Sequence, residues 1–198
     1  MARVFEDRKG QILREATSLF SRDGYDKVTV KQISEKCGIT EPAVYRHYES
    51  KEAIYYAVLE SLAARLDHKT TFDALETETD IESLLSTLAT HILAFFSENE
   101  DIYRLLLYSA LRGHAKASEI YNVIRGTYQS YLTRQLNRLY QDGRIAKKNN
   151  EITARCFIGM VFDCALGKTL WRGMQGKVYA PSEVVANNVP IYAKGLRA

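Results

Sequence analysis

The chain has 198 residues, 26% of them charged and 46% hydrophobic, with a formal net charge of +3. That balance belongs to a globular protein with a real core, in one domain or two small ones, and it excludes a low-complexity chain. Charge alone barely argues for nucleic acid, since residues 1–51 hold ten Lys plus Arg against eight Asp plus Glu, and no signal-like or membrane-length apolar run occurs, so a cytoplasmic protein with no membrane partner is expected.

Residues 1–7 read as a frayed end or an arm carrying Arg3. A first helix follows over residues 8–22, with Ile12, Ala16, Leu19 and Phe20 as its apolar stripe and Gly24 as its stop. Tyr25 and Val28 then close the base of a three-helix unit. Thr29 starts the second helix as an N-cap, and Gln32, three residues on, completes a capping box. Val30 and Ile33 supply its apolar side, Cys37 reads as a small buried residue, and Gly38 provides the left-handed exit. Thr40 caps a third helix that runs to Tyr48, with Pro42 in its first turn. Two short helices around a tight glycine turn form a helix-turn-helix pattern.

The period of the third helix sorts its residues. Val44 and Tyr48 form an i, i+4 apolar pair that faces the second helix, while Pro42, Ala43 and Arg46 point the opposite way. Tyr45 and His47 lie on the flanks, where phosphates would stand if this helix entered a major groove.

Ser50 caps a long helix through Ile54, Tyr55, Val58, Leu59 and Leu62 to about Leu66. Lys51 lies at its N-terminus, where free backbone N–H groups favour a phosphate. Residues 68–80 have the least helical period and read as a loop or hinge. Helical periods resume over residues 81–96 and 101–112. A long helix over residues 117–141 contains Gly126, a possible point of bending. The helix over residues 151–172 is apolar nearly all round from 157 to 166, which calls for cover by its own domain and by a second copy of the chain. Cys156 and Cys164 lie about 12 Å apart along it, too far to bridge, and three cysteines fit reduced thiols. After residues 173–177, Pro181 opens a last helix with Val185, Val189, Tyr192 and Leu196 in a stripe. Pro190 is expected to kink or shorten it.

Between Phe95 and Trp171 the chain carries Tyr103, Tyr108, Tyr121, Tyr128, Tyr131, Phe157, Met160 and Phe162, with His91 and Asp163 as polar points. Many of these are expected to serve as core or interface. Together they also have the composition of an apolar, aromatic small-molecule cavity, with His91, Phe95, Tyr103, Tyr108, Tyr121, Tyr128, Phe157, Met160, Asp163 and Trp171 as its candidate lining. The four His residues show no metal-ligand spacing, and no nucleophile motif or phosphate loop appears. No catalytic site, metal or cofactor is expected. The alternative to a DNA-binding protein is a helical ligand-binding or interaction protein without operator recognition, against which Arg46, His47 and Lys51 argue.

The segment GYDKVTVKQISEKCGITEPAVYRHYESKEAIYYAVLE resembles the TetR family of bacterial transcription regulators, in a match that covers about residues 8–62. Gly24, Thr29, Ile33, Gly38, Val44, Tyr45, Tyr48, Lys51 and Glu52 stand at positions of the family pattern, with Tyr48 an aromatic where Phe is usual, and Ser34 replaces the usual Ala. The resemblance implies an all-α protein of about nine helices, with a helix-turn-helix DNA-binding domain over residues 1–50 and a helical effector-binding and dimerisation domain over residues 51–198. It implies phosphate contacts from Thr29, Tyr45, His47 and Lys51, and base reading by Glu41, Pro42, Ala43 and Arg46, with Thr40 at the edge of the same surface. It further implies a homodimer through the last two helices, a palindromic double-stranded operator, and a small-molecule effector that moves the helix over residues 50–66.

Overall fold

The structure, a computed structural model, describes residues 7–65, 68–169 and 179–197. Arg3, Leu66, Trp171, Arg172 and residues 173–177, which entered the expectations above, lie outside the described residues. The elements are α1 (Arg8–Asp23), α2 (Val30–Cys37), α3 (Glu41–Tyr45), α4 (Lys51–Ala64), α5 (His68–Leu75), α6 (Ile81–Glu98), α7 (Glu100–Leu111), α8 (Ala115–Gln141), α9 (Asn150–Thr169) and α10 (Pro181–Leu196). Among the described residues, the one piece of β structure is an isolated antiparallel bridge between Ile145 and Arg197. No helix among them is long and apolar enough to cross a membrane.

Contacts divide the chain into two units. One comprises Met1–Arg65 and Asp101–Tyr121, the other Leu66–Glu100 and Asn122–Ala198.

In the first unit, local signals set the helix ends. Asp7 accepts the Gly10 N–H to start α1, and Gly24, at φ +82°, donates its N–H to Phe20 O to end it. Residue 24 must leave the helix through a left-handed φ that costs a side-chain-bearing residue about 1–2 kcal/mol. Ile12, Ala16, Leu19 and Phe20 are buried as the periodicity predicts, against α2 and α4. Val30 and Ile33 of α2 are buried as well, and Ile54, Tyr55, Val58 and Leu59 of α4 complete the core. Each of the aliphatic side chains larger than alanine, and Phe20, contributes about 1.5–3 kcal/mol by leaving water. The capping-box pair and Gly38, at φ +64°, bound α2 as expected.

In the second unit, Asp80 caps α6 by accepting the Ser83 N–H, and α6 packs against α5, α9 and α10. One expectation is corrected here. Residues 68–80 do not form a loop throughout: His68–Leu75 is the helix α5, followed by a turn. Its intrinsic signal is weak, and tertiary packing supplies what propensity does not. The Phe72 ring stacks on Tyr131 at 3.8 Å and 8°, the Tyr131 hydroxyl donates to Phe72 O at 3.1 Å, and Leu75 is buried. With this helix there are ten among the described residues, where about nine were expected.

Pro190 lies inside α10 without ending it. The ring removes one hydrogen bond, but Val189, Ala193 and Leu196 are buried on either side of it, and Leu196 O accepts the Ala146 N–H at 2.8 Å beyond it. Packing on both sides of the proline holds the helix together.

Candidate nucleic-acid interface

The reader segment is built on a short helix. The α3 helix covers only Glu41–Tyr45, three residues fewer at its C-terminus than the period suggested. Arg46 nonetheless keeps right-handed helical angles, and its N–H reaches Pro42 O. The N–H groups of His47 and Tyr48 then both bond Val44 O, at 2.9 and 3.1 Å, so the chain tightens into an i→i+3 turn at its end. Arg46 and His47 thereby stay on the helical path that set their expected directions.

Those directions hold. Val44 and Tyr48 are buried, whereas Pro42, Tyr45, Arg46 and His47 are exposed, and Glu41 and Ala43 are half-buried beside them. A large tyrosine left 48% exposed next to an arginine and a histidine is an amphipathic, cationic edge suited to a phosphate wall. Tyr48 differs from a phenylalanine only by a hydroxyl, which donates to Lys9 O at 3.4 Å, with the Lys9 ammonium 5.5 Å from the ring. Burial pushes this phenol's pKa above its ordinary value, with Asp7 adding to the effect. Ser34, likewise buried, donates to Lys31 O at 2.8 Å, so its extra oxygen relative to alanine is satisfied within its own helix.

Thr29 and Thr40 differ in what they leave available. The Thr29 hydroxyl accepts the Gln32 N–H at 3.2 Å and lies 3.3 Å from Gln32 Oε1, so it is engaged on both sides. Thr40 has the extended backbone of an N-cap, yet its side chain makes no cap hydrogen bond; its carbonyl receives the Ala43 and Val44 N–H groups instead. The exposed Thr40 hydroxyl remains open to an outside acceptor.

Lys51 occupies a different setting from the one its position at a helix start suggests. The Ser50 hydroxyl oxygen accepts the Ala53 N–H to start α4, while the Lys51 ammonium turns to the loop between α1 and α2. It donates to Tyr25 O and to Val28 O, both at 3.0 Å, and lies 4.2 Å from the Tyr25 ring centroid. An ammonium has three donors, so one is left for a phosphate. The two carbonyls belong to a segment outside any helix, where backbone acceptors need partners from elsewhere. Sequence spacing gives no sign of this pairing.

The candidate effector residues divide between the units. Tyr103, Tyr108 and Tyr121 belong to the first: Tyr103 is fully buried, Tyr121 half-buried, and Tyr108 exposed with the Arg112 guanidinium 5.2 Å from its ring. His91, Phe95, Tyr128, Phe157, Met160 and Asp163 belong to the second. Of these, Tyr128 is central: its buried ring lies 5.9 Å from His91, 5.8 Å from Phe72, 5.8 Å from His68 and 6.3 Å from Phe162. Its hydroxyl is buried with no hydrogen-bond partner among the described residues, and desolvation raises its pKa strongly. His91 Nδ1 and Thr71 Oγ1 are hydrogen-bonded at 3.0 Å. Phe95 joins this group through Phe96, which packs edge-on to Phe162. Phe157, also buried, packs instead against Tyr192, Met160 is half-buried, and Asp163 is exposed. The structure adds His68, Thr71 and Phe72 to the cluster. All three sit on α5, a segment whose period in the sequence reads as a loop. Among the described residues no group of three or more His, Cys, Asp or Glu could hold a metal ion.

A capped helix pair around a left-handed glycine, presenting an exposed Tyr-Arg-His edge, is the arrangement of a helix-turn-helix unit. Residues 12–58 match the model described as bacterial regulatory proteins, tetR family. The transcriptional activator FasR of Mycolicibacterium smegmatis is 30% identical over 101 residues, 51% of this chain and 46% of that protein. The chain thus matches about half the length of that relative. The nucleoid occlusion factor SlmA of Pasteurella multocida is 29% identical over 110 residues, 55% of each chain. The transcriptional repressor Rv1474c of Mycobacterium tuberculosis is 24% identical over 193 residues, covering 96% of this chain and 98% of that protein. Among solved structures, AibR in complex with isovaleryl coenzyme A and operator DNA shares the fold with a TM-score of 0.69 at 19% identity, over 93% of this chain and 97% of that one.

Proposed function

We propose that this DNA-binding regulator is a cytoplasmic homodimeric repressor that grips a palindromic operator and lets go of it when a small, largely apolar or aromatic effector binds. The single observation that carries the reading is the split on the reader segment: Val44 and Tyr48 buried, Arg46, His47 and Tyr45 exposed. Arg46, with Glu41, Pro42 and Ala43, reads base edges, and Tyr45, His47, Thr29, Thr40 and Lys51 hold the backbone. Residues 1–50 carry recognition and residues 51–198 carry control and dimerisation. The last two helices, α9 and α10, form the subunit interface, a role favoured by Ile152 and Ile191, which both stand more than half exposed on them. The effector sits against the aromatic group around Tyr128, whose buried hydroxyl offers a polar point in apolar surroundings. The co-crystallised acyl-CoA and operator in AibR support this pairing of ligand and DNA on one fold.

Immunoprecipitation of the chain with its bound DNA across the genome tests the reading, together with transcript levels after deletion. Repression predicts palindromic sites beside genes whose transcripts rise on deletion; falling transcripts would make it an activator. In binding assays Arg46→Ala weakens the recovered operator by about tenfold to a hundredfold while sparing random DNA, as loss of a base contact does. Equal loss on both would refute the base-reading role. A second reading, nucleoid occlusion, is favoured by the similarity to SlmA. In that case deletion alters cell division and leaves transcripts beside the bound sites unchanged.

A further inference from the structure

We propose that Arg112 and His114, in the turn between α7 and α8, are positioning residues for DNA binding: they hold residues 25–28 and, through that segment, the helix pair that meets the DNA. The inference rests on the DNA-binding reading above and goes beyond it by naming residues that set the reader's posture without touching DNA.

Residues 25–28 lead directly into Thr29, the cap of α2. The segment has no helix of its own, and besides the Phe20 ring of α1, 5.7 Å from that of Tyr25, it is attached to two separate elements. From α4, Lys51 donates to the carbonyls of Tyr25 and Val28, and Tyr55 packs 4.5 Å from the Tyr25 ring. From the α7–α8 turn, the Arg112 guanidinium donates to the Asp26 carboxylate, forming an ion pair across 86 residues of sequence. The His114 ring meets Tyr25 edge-on at 5.5 Å and 84°, and lies 5.6 Å from Tyr55. Two neighbouring contacts fasten the same surfaces: Arg104 donates to Ser21 O at 2.8 Å, and Lys116 pairs with Glu60 at 3.6 Å.

The turn that carries Arg112 and His114 is itself closed. Gly113, at φ +84°, donates to Ala110 O at 3.0 Å, and the His114 N–H bonds Ser109 O at 3.0 Å. Both side chains therefore project from a fixed backbone. Tyr25 is the shared point, since its ring meets the Lys51 ammonium as well as His114. Loosening the α7–α8 side leaves the segment held by Lys51, Tyr55 and the Phe20 ring, 5.7 Å from that of Tyr25. The start of α2 and the ammonium at the head of α4 then lose a common reference.

Arg112 and Asp26 are both about half exposed, so their pair is a modest clamp, and the predicted effect is graded rather than complete. The test uses the full chain and a duplex that the wild type selects from a random-sequence pool, with a scrambled duplex as control. Arg112→Gln and Asp26→Asn each weaken operator binding by about threefold to fivefold. The double variant binds no more weakly than either single, because both remove one interaction. Arg112→Lys recovers most of the loss, and His114→Leu costs about fivefold to tenfold. In all of them the slope of affinity against salt stays that of the wild type, since no phosphate contact is lost. A purely structural role would lower the melting temperature and leave affinity intact; melting midpoints therefore accompany each titration, and Arg112→Lys with Asp26→Asn keeps the test alive if His114→Leu fails to fold.

Additive losses, a salt slope reduced by about one in Arg112→Gln, or variants that bind like the wild type each overturn the proposal. If the wild-type chain selects no duplex, the DNA-binding reading falls and the proposal falls with it. If it does select one and the variants match it, only the positioning role falls.

Discussion

Replacing Lys51 with methionine separates two jobs that its position combines. The stem survives and the ammonium goes, removing two charge-assisted hydrogen bonds to Tyr25 O and Val28 O and the contact with the Tyr25 ring. Hydrogen bonds with a charged partner contribute about 1.5–3 kcal/mol when buried. Lys51 is only half-buried, so about 1 kcal/mol for each bond is the appropriate share once solvent is admitted. The ring contact adds about 0.5 kcal/mol. The sum is about 2–3 kcal/mol, and in a chain of this length each kcal/mol moves a melting midpoint by about 2–4 °C. Lys51→Met is therefore expected to melt about 4–12 °C lower than the wild type, with no DNA present. Calorimetry of the free protein measures this, followed by operator titrations across a range of salt. If the remaining donor also meets a phosphate, the salt slope falls by about one unit as well. A variant that melts with the wild type but shows the reduced slope would refute the clamp and leave Lys51 as a phosphate contact alone.

Phe72→Ala removes the ring stacked on Tyr131 and should cost about 1–3 kcal/mol, less than a fully buried phenylalanine because Phe72 is half-buried. Hydrogen exchange across residues 68–75 checks it: amides as protected as in the wild type would show that α5 stands without this contact. Tyr48→Phe gives up only the 3.4 Å bond to Lys9 O and should change urea stability by less than about 1 kcal/mol, against about 3–5 kcal/mol for Tyr48→Ala; a larger loss in the phenylalanine variant would contradict the core role of the ring. Alkaline stability follows from Tyr128, raised by burial, and Tyr131, pushed up to about 12 by burial and secondarily by Glu76. Below pH 10 these phenols are protonated in the folded and unfolded chain alike. Between pH 10 and about 12 the unfolded chain loses its protons first, so it binds fewer than the native state and stability falls as pH rises. Urea unfolding across that window should show the decline, and Tyr131→Phe should flatten it; an undiminished slope in that variant would rule Tyr131 out as a source.

Local chemistry made much of this protein legible. The capping box of Thr29 and Gln32, the left-handed Gly24 and Gly38, and the buried pair Val44 and Tyr48 are all encoded within a few residues of where they act. A helix cap bonds a backbone N–H two or three residues on, and a helical face repeats every three or four, so both can be read along the chain. The exposed set Pro42, Tyr45, Arg46 and His47 follows from the same period. The candidate effector residues were less legible, because aromatic composition names candidates without saying which share a neighbourhood. His91, Phe95 and Tyr128 fall in one group in the second unit, while Tyr103, Tyr108 and Tyr121 fall in the first.

The rest depended on partners remote in the chain. His68–Leu75 has a weak helical signal and is held as a helix by Tyr131, 59 residues from Phe72. Lys51 finds its acceptors 26 and 23 residues back, and Arg112 finds Asp26 86 residues back. Pro190 breaks a local rule that buried Val189, Ala193 and Leu196 override. Helix ends and faces are governed by hydrogen bonds and side-chain periods a turn long, so the order of residues alone determined them. Which carbonyl a lysine ties down, and which weak helix survives, are set by groups that meet only when the chain is folded, and the tertiary structure alone decided those.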